Sequence, residues 1–253
     1  MVWICRWPRY AIIALGASKV GLYGASSAGV SLPIITDGLS LYLDANKYSG
    51  SGTTWYDISG NSKNFTWNSS PSFTSGSPSY FSTSGKIATG PASNSFGINN
   101  TSGYSVFVIC QVSSLTGNGA FHFYKAGTGD ANRGIHAHLP WTNGIIYFDQ
   151  GGCCAASQRL SVSGGTVTGW NIFTFTRDTG GSTRKIYKNA SLLATETASA
   201  ANIDLNSTGV EINSSNYSPG WDAKIAEFFV YSRGLSASEI TENYNALKDR
   251  YGL

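Results

Sequence analysis

Residues 226–253 read AEFFVYSRGLSASEITENYNALKDRYGL, and the change of period inside them points to the fold class. In the overlapping run KIAEFFVY, residues 224–231, apolar side chains alternate, so Ala226, Phe228 and Val230 are expected on one face of a strand. Past Arg233-Gly234-Leu235 the period becomes helical, with Ile240, Tyr244, Leu247 and Tyr251 recurring at three- and four-residue steps. Ser236 and Glu239 stand at capping-box spacing: the serine oxygen takes the third helical N–H, and the carboxylate reaches back to the cap N–H. Gly252 supplies the stop. The remaining sequence has no second helical pattern, which leaves the core to strands.

Upstream, GLSLYLDA, residues 38–45, places Leu39, Leu41 and Leu43 on one strand face and Ser40 and Tyr42 on the other. YSVFVICQV, residues 104–112, is apolar on both faces and should be central, and WNIFTFTRD, residues 170–178, repeats the pattern. Weaker strands are expected at 120–125, 134–139 and 145–149. Residues 185–188 and 192–195 flank Asn189-Ala190 as a hairpin. With 30 glycines and only 12% charged residues, the composition suits many short strands joined by turns. The expected architecture is all-β: a two-sheet antiparallel sandwich over residues 37–253, closed by one C-terminal helix and preceded by an extension, residues 1–36.

That extension has no clean period. Its Trp3, Trp7, Tyr10, Ile12 and Ile13 are expected to serve as an anchoring arm on a neighbouring chain, the alternative being a tail that lies along its own sandwich. Arg6 and Arg9 ahead of residues 11–17 follow the order of a signal peptide, but the apolar run is short and weak. No run is long enough for a membrane span. A net charge of +3 with scattered Lys and Arg offers no stripe for a phosphate backbone, so nucleic acid is not an expected partner. Cys5, Cys110, Cys153 and Cys154 have neither zinc-site spacing nor a disulfide framework, and Cys110 is expected in the core.

Three stretches, residues 38–45 (GLSLYLDA), 55–61 (WYDISGN) and 221–253, together resemble concanavalin A-like or laminin G-like jelly-roll domains. Such domains occur in tailed-phage virion proteins and bacterial surface proteins, and the resemblance covers roughly residues 38–253. It implies a non-catalytic structural protein of a phage particle, a capsid decoration or fibre component that binds other virion proteins and self-associates. The alternative it implies is an extracellular or cell-surface adhesin for glycans, with calcium as a candidate ion; a glycoside hydrolase ranks third. One departure is local: the hairpin tip is Asn189-Ala190 where the family has Asn-Gly. The fold by itself names no ligand.

Glucan-cutting enzymes of this fold carry Glu-x-Asp-x-x-Glu on one strand, which places nucleophile and acid on one face. The nearest acidic pairs here, Asp222 with Glu227 and Glu239 with Glu242, do not match it, so no catalytic residue is expected. His136 and His138 share a strand face, and His122 or Asp149 would have to complete a metal set; the expected role is that of a structural or solvent-facing pair. Asp44, Asp57 and Asn61 are candidate calcium ligands, with the alternative that Asp57 and Asn61 bond the turn around Gly60. Among Trp55, Trp67, Trp141, Trp170 and Trp221, the two beside proline signals, Trp141 and Trp221, are expected to be exposed and able to stack on sugar rings.

Overall fold

The apolar run 104–112 divides its side chains between two layers, and the rest of the domain follows from that division. Val106, Val108 and Cys110 point into one hydrophobic cluster, and Phe107 and Ile109 into another on the opposite side of the sheet. The computed structural model describes residues 34–165, 167–197, 201–214 and 220–253; the expected anchoring residues Trp3, Trp7, Tyr10, Ile12 and Ile13 lie outside the described residues.

In chain order the strands are β1 Leu39–Asp44, β2 Thr54–Trp55, β3 Phe65–Trp67, β4 Ser72–Thr74, β5 Tyr80–Ser82, β6 Ala88–Ala92, β7 Tyr104–Val112 and β8 Gly119–Tyr124. There follow β9 Arg133–His138, β10 Ile145–Gln150, β11 Arg159–Ser163, β12 Trp170–Arg177, β13 Arg184–Lys188, β14 Ser191–Glu196, β15 Gly209–Ile212 and β16 Ala223–Tyr231, then the helix α1 Ala237–Tyr251. They form two eight-stranded sheets among the described residues. The first runs β14-β13-β12-β7-β16-β5-β4, with β1 also paired to β16. The second runs β11-β10-β9-β8-β15-β6-β3-β2. All pairings are antiparallel, as the expected jelly-roll sandwich requires.

Between the sheets lies the main core, where Phe173, Phe175 and Phe228 meet Phe121, Phe123, Phe148 and the stacked pair Trp55–Trp67. The outer face of the first sheet is covered by α1, whose Ile240, Leu247 and Tyr251 pack on Phe107, Ile172 and Phe229. The capping box forms as expected: Glu239 N donates to Ser236 Oγ at 3.3 Å and Ser236 N to Glu239 Oε2 at 2.9 Å. Tyr244 is only partly buried; Asn243 takes the inner position instead, accepting from Ile35 N at 2.8 Å and donating to Tyr231 Oη at 3.0 Å. The end of the extension, Ile34 and Ile35, thus packs on the helix side of the sandwich.

Two β-bulges change the expected side-chain phase. The register of β16 slips between Ile225 and Glu227 against β7, so Ala226 turns toward the helix while Phe228 and Val230 stay in the core. A second slip between Leu39 and Leu41 moves Leu39 to the helix side with Tyr42, leaving Leu41 and Leu43 inside. The bulge on β16 also turns Glu227 toward the helix, where it accepts from Arg250 Nη1 at 2.6 Å, Tyr251 Oη at 2.5 Å and Tyr42 Oη at 2.9 Å. Burial, with Asp44 nearby, outweighs Arg250 and pushes the Glu227 carboxyl up to about 7.

Strands β13 and β14 form the expected hairpin, with Asn189 at φ 51° and Ala190 at φ 61°. Positive φ at both tip residues is the geometry that favours Asn-Gly. Left-handed backbone costs a non-glycine roughly 1–2 kcal/mol, and glycine returns part of this through the unfolded chain, about 0.4–1 kcal/mol. Ala190→Gly is therefore expected to stabilise the domain by about 0.5–1 kcal/mol, measured by urea unfolding. An unchanged or lowered stability would contradict the turn geometry.

Candidate functional site on the second sheet

Strand alternation sorts β8 to β11 into an apolar inner face and a polar outer face. In β9, RGIHAH, Ile135 and Ala137 enter the core, so His136 and His138 face outward. In β10, IIYFDQ, Ile146 and Phe148 point in, so Tyr147 and Asp149 point out; in β11 Leu160 points in and Arg159 out. Register then aligns these outward groups. Glu211 of β15 pairs with His122, His122 with His136, His136 with Asp149, and Asp149 with Arg159. One polar row therefore crosses five strands.

Asp149 is the row's ionic centre. Arg159 donates to it through Nε at 2.6 Å and Nη2 at 2.7 Å, a bidentate pair. Arg133 donates through Nη1 to the same carboxylate and through Nη2 to Asp130, which lies at the exposed rim. Burial would raise the Asp149 carboxyl, but Arg159, His136 and Arg133 outweigh it and hold it well below the usual carboxylate range. The imidazoles behave oppositely. Burial lowers His122 to about 3 and His138 to about 4, and burial together with His138 holds His136 well below its ordinary value. All three are neutral at pH 7. His122 Nε2 lies 3.2 Å from the Asn132 carbonyl, which assigns the proton to that nitrogen and leaves Nδ1 to accept from Ser214 Oγ at 3.1 Å.

Rings continue the row in a second direction. Tyr124 stacks on His122 at 3.8 Å, His122 meets His136 at 5.0 Å, His136 meets His138 at 4.4 Å, and His138 meets Trp141 at 4.5 Å. Gly119 makes room for this chain, since a Cβ there would stand 2.3 Å from His136 Nε2. Trp141 opens the β9–β10 turn: its N–H donates to Ile145 O and its carbonyl accepts from Gly144 N, both at 2.8 Å. Beside it the Arg159 guanidinium lies 4.3 Å from the Tyr147 ring centre. These groups enclose a cavity of about 260 Å³ lined by Asp130, Arg133, His138, Trp141, Tyr147 and Arg159, with Cys153 and Cys154 completing the wall.

Counted together with the buried Asp149 that both arginines hold, the charges around the cavity cancel: two arginines stand against Asp149 and the lining Asp130, and the imidazole is neutral. Such a site suits a neutral, hydroxyl-rich ligand with an apolar ring face. Donor atoms of His136, His138 and Asp149 come within 4.8 Å of one another, but the cluster does not fit a divalent cation. The Asp149 carboxylate already accepts from two guanidinium groups, whose charge would repel a dication.

Of the residues expected from sequence, Trp141 is half-buried and lines the cavity. The expectation for Trp221 is corrected: it is 1% exposed in the main core, its Nε1 donating to Leu139 O at 2.8 Å. The Pro-Gly before it is a turn signal in the sequence, but the Trp221 side chain itself packs into the sandwich. Asp44, Asp57 and Asn61 hold turns. Asp44 caps a 3-10 turn through Asn46 N at 2.8 Å and pairs with Arg250 Nη1 at 3.1 Å. Asp57 accepts from Tyr42 N, Ser59 N and Lys63 N, each at 2.9 Å, and Asn61 Nδ2 donates to Leu39 O at 3.0 Å. Tyr147, Arg133, Arg159, Asp130 and the cysteine pair were missed; of these, only the alternation of IIYFDQ and RLSVS carried a local signal.

A family model described as the concanavalin A-like lectin/glucanases superfamily matches residues 81–241. No curated protein matches in sequence. Among solved structures, the chain is similar to Trypanosoma rangeli sialidase, with a TM-score of 0.64 and 14% identity over 85% of this chain and 34% of that one. It is also similar to the binding domain of Paraclostridial Mosquitocidal Protein 1, with a TM-score of 0.63 and 15% identity over 86% of this chain and 55% of that one. A third is the binding domain of botulinum neurotoxin DC in complex with rat synaptotagmin II, with a TM-score of 0.63 and 15% identity over 84% and 52%. The chain spans from a third to just over half of these structures, and at such identities the likeness is one of fold.

Proposed function

The chain belongs to the concanavalin A-like lectin/glucanases superfamily, and from that premise we propose that it is a non-catalytic carbohydrate-binding protein whose ligand site is the second-sheet cavity. The observation that carries this reading is the charge-balanced cavity in which Trp141 and Tyr147 offer ring faces and Arg159, Arg133 and Asp130 offer hydrogen-bonding edges. Two of the similar structures are binding domains, which favours recognition over turnover.

The carboxyl groups support the same choice. Most glycosidases, though not those with a tyrosine nucleophile, need one carboxyl held protonated opposite an ionised partner. Asp149, which pairs with the cavity's arginines, is held ionised by them. Glu227, whose carboxyl is raised to about 7, is enclosed between the first sheet and α1, on the other layer of the sandwich. We place the protein on a tailed-phage particle, following the resemblance of residues 38–253, with a cell-surface glycan as ligand and the extension as its attachment.

The test is a glycan array probed with the parent protein and with Trp141→Ala. The parent is expected to retain a defined set of neutral glycans. The variant, its circular dichroism unchanged, is expected to bind them about tenfold more weakly, the loss of roughly 1–2 kcal/mol of ring contact. A parent that retains nothing, or a variant that binds equally, would sink the reading.

A further inference from the structure

The adjacent cysteines Cys153 and Cys154 form a disulfide within the segment that walls the cavity. We propose that this disulfide is a ligand-contacting part of the site and that its reduction switches binding off; the inference rests on the carbohydrate-binding reading above.

Residues 151–158 are fixed at both ends and unsupported at the tip. Gly151 N donates to Gly134 O at 2.9 Å and Gly152 N to Arg133 O at 2.7 Å, which ties the entry to β9. Arg159 N donates to Ala155 O at 3.0 Å and Ala201 N to Ser157 O at 2.9 Å, which ties the exit. Gly151 is demanded by close approach, since a Cβ there would stand 2.3 Å from the Asn202 carbonyl oxygen, and Gly152 by its φ of 135°. Between these ties residues 154–157 are exposed, and the small side chains of Ala155 and Ala156 give the tip no core of its own. A chain of this kind holds a fixed wall only if its conformers are restricted. Linking neighbouring residues through their sulfurs closes a small ring and does so. Cys154 sits at φ 81°, a backbone state non-glycine residues disfavour when free.

The sulfurs also suit the ligand. A disulfide presents a soft, apolar, polarizable surface, able to meet the C–H face of a sugar ring while the arginine and aspartate groups meet its hydroxyls. An Asp130 carboxylate oxygen and the two Sγ atoms lie within 4.8 Å of one another, so apolar wall and polar rim adjoin. Cys154 is exposed and open to a reductant. A phosphine attacks one sulfur, the S–S bond breaks, water supplies the oxygen of the phosphine oxide, and both sulfurs leave as thiols. A chain synthesised in a reducing compartment and displayed in an oxidising one would acquire its binding surface on release.

The experiment has two arms on the full chain. Alkylation after denaturation without reductant, read peptide by peptide by mass spectrometry so that Cys5 is scored separately, is expected to label Cys110 and to leave Cys153 and Cys154 unlabelled; labelling of both overturns the proposal. The glycan array is then run on the parent, on the parent reduced with tris(carboxyethyl)phosphine, and on Cys153→Ser/Cys154→Ser, with folding checked by circular dichroism. Binding is expected to fall at least about tenfold in the last two samples with the fold retained. Equal binding in all three overturns this proposal and leaves the carbohydrate reading standing. A parent that binds no glycan overturns both.

Discussion

Asp149→Asn is expected to lower the unfolding free energy by about 3–5 kcal/mol, because it removes the one carboxylate that two arginines share and leaves the buried Arg133 guanidinium with only the rim carboxylate of Asp130. Arg133 is 3% exposed and Asp149 fully buried, so water cannot replace the lost partner. For a domain of this size the change corresponds to a fall in Tm on the order of 10 °C. Urea and thermal unfolding of parent and variant measure it directly. A change below about 1 kcal/mol, as at exposed ion pairs, would mean that Asp149 does not organise the outer row and that the cavity's charge balance has another source.

The second large effect is the response to acid. His122, His136 and His138 have folded-state values below the ordinary 6.5, so their neutral forms favour the folded state at neutral pH. That stability is lost as pH falls below about 6.5, where the unfolded imidazoles take up protons and the folded ones do not. Glu227 works in the opposite sense. Its value is raised from 4.5 to about 7, so its contribution is full below 4.5 and is lost as pH rises toward 7. Between these limits unfolding takes up a proton on each of three imidazoles and releases one from Glu227, a net uptake of about two. Asp149 keeps its charge through this window, since its carboxyl is held below it.

The unfolding free energy is therefore expected to fall by about 2–3 kcal/mol for each unit of pH between roughly 6.5 and 4.5, with acid unfolding setting in at the lower end. Glu227→Gln removes the released proton, so its slope should steepen toward three protons, about 4 kcal/mol per unit. Urea titrations at half-unit steps give both slopes. A flat profile in the parent would show that the imidazoles are solvated in the folded state and that the row is not buried.

Long strands and the capped helix were legible in the sequence because their signals are local. Alternation in YSVFVICQV, WNIFTFTRD and KIAEFFVY, and the Ser236/Glu239 spacing, each depend only on near neighbours. Two details escaped for a physical reason. The bulges that turn Ala226 and Leu39 over are set by the partner strand, and nothing in AEFFV or GLSLY announces an extra residue. Strands β2 to β5 are only two or three residues long and lie in Ser- and Gly-rich sequence, too short for a period to show.

The site was legible only in part. His136 and His138 declared a shared face, and Trp141 declared an exposed turn, because both are local statements. That Asp149 stands beside His136 and Arg159 beside Asp149 depends on the register between β9, β10 and β11, which only the assembled sheet fixes. Trp221 misled because a Pro-Gly signal locates a loop without saying where its next side chain points. Cys153-Cys154 fell outside the familiar spacings, and its meaning came from the cavity it lines.

The central claim is that ligand occupies the outer face of the second sheet. Hydrogen–deuterium exchange of the full chain, with and without a glycan retained on the array, tests it most directly. Protection is predicted in residues 133–149 and 151–159, with the apolar groove lined by Val112, Leu115 and Val167 unchanged. Protection confined to that groove or to the helix side of the first sheet, with residues 133–159 exchanging as in the free protein, would contradict the account.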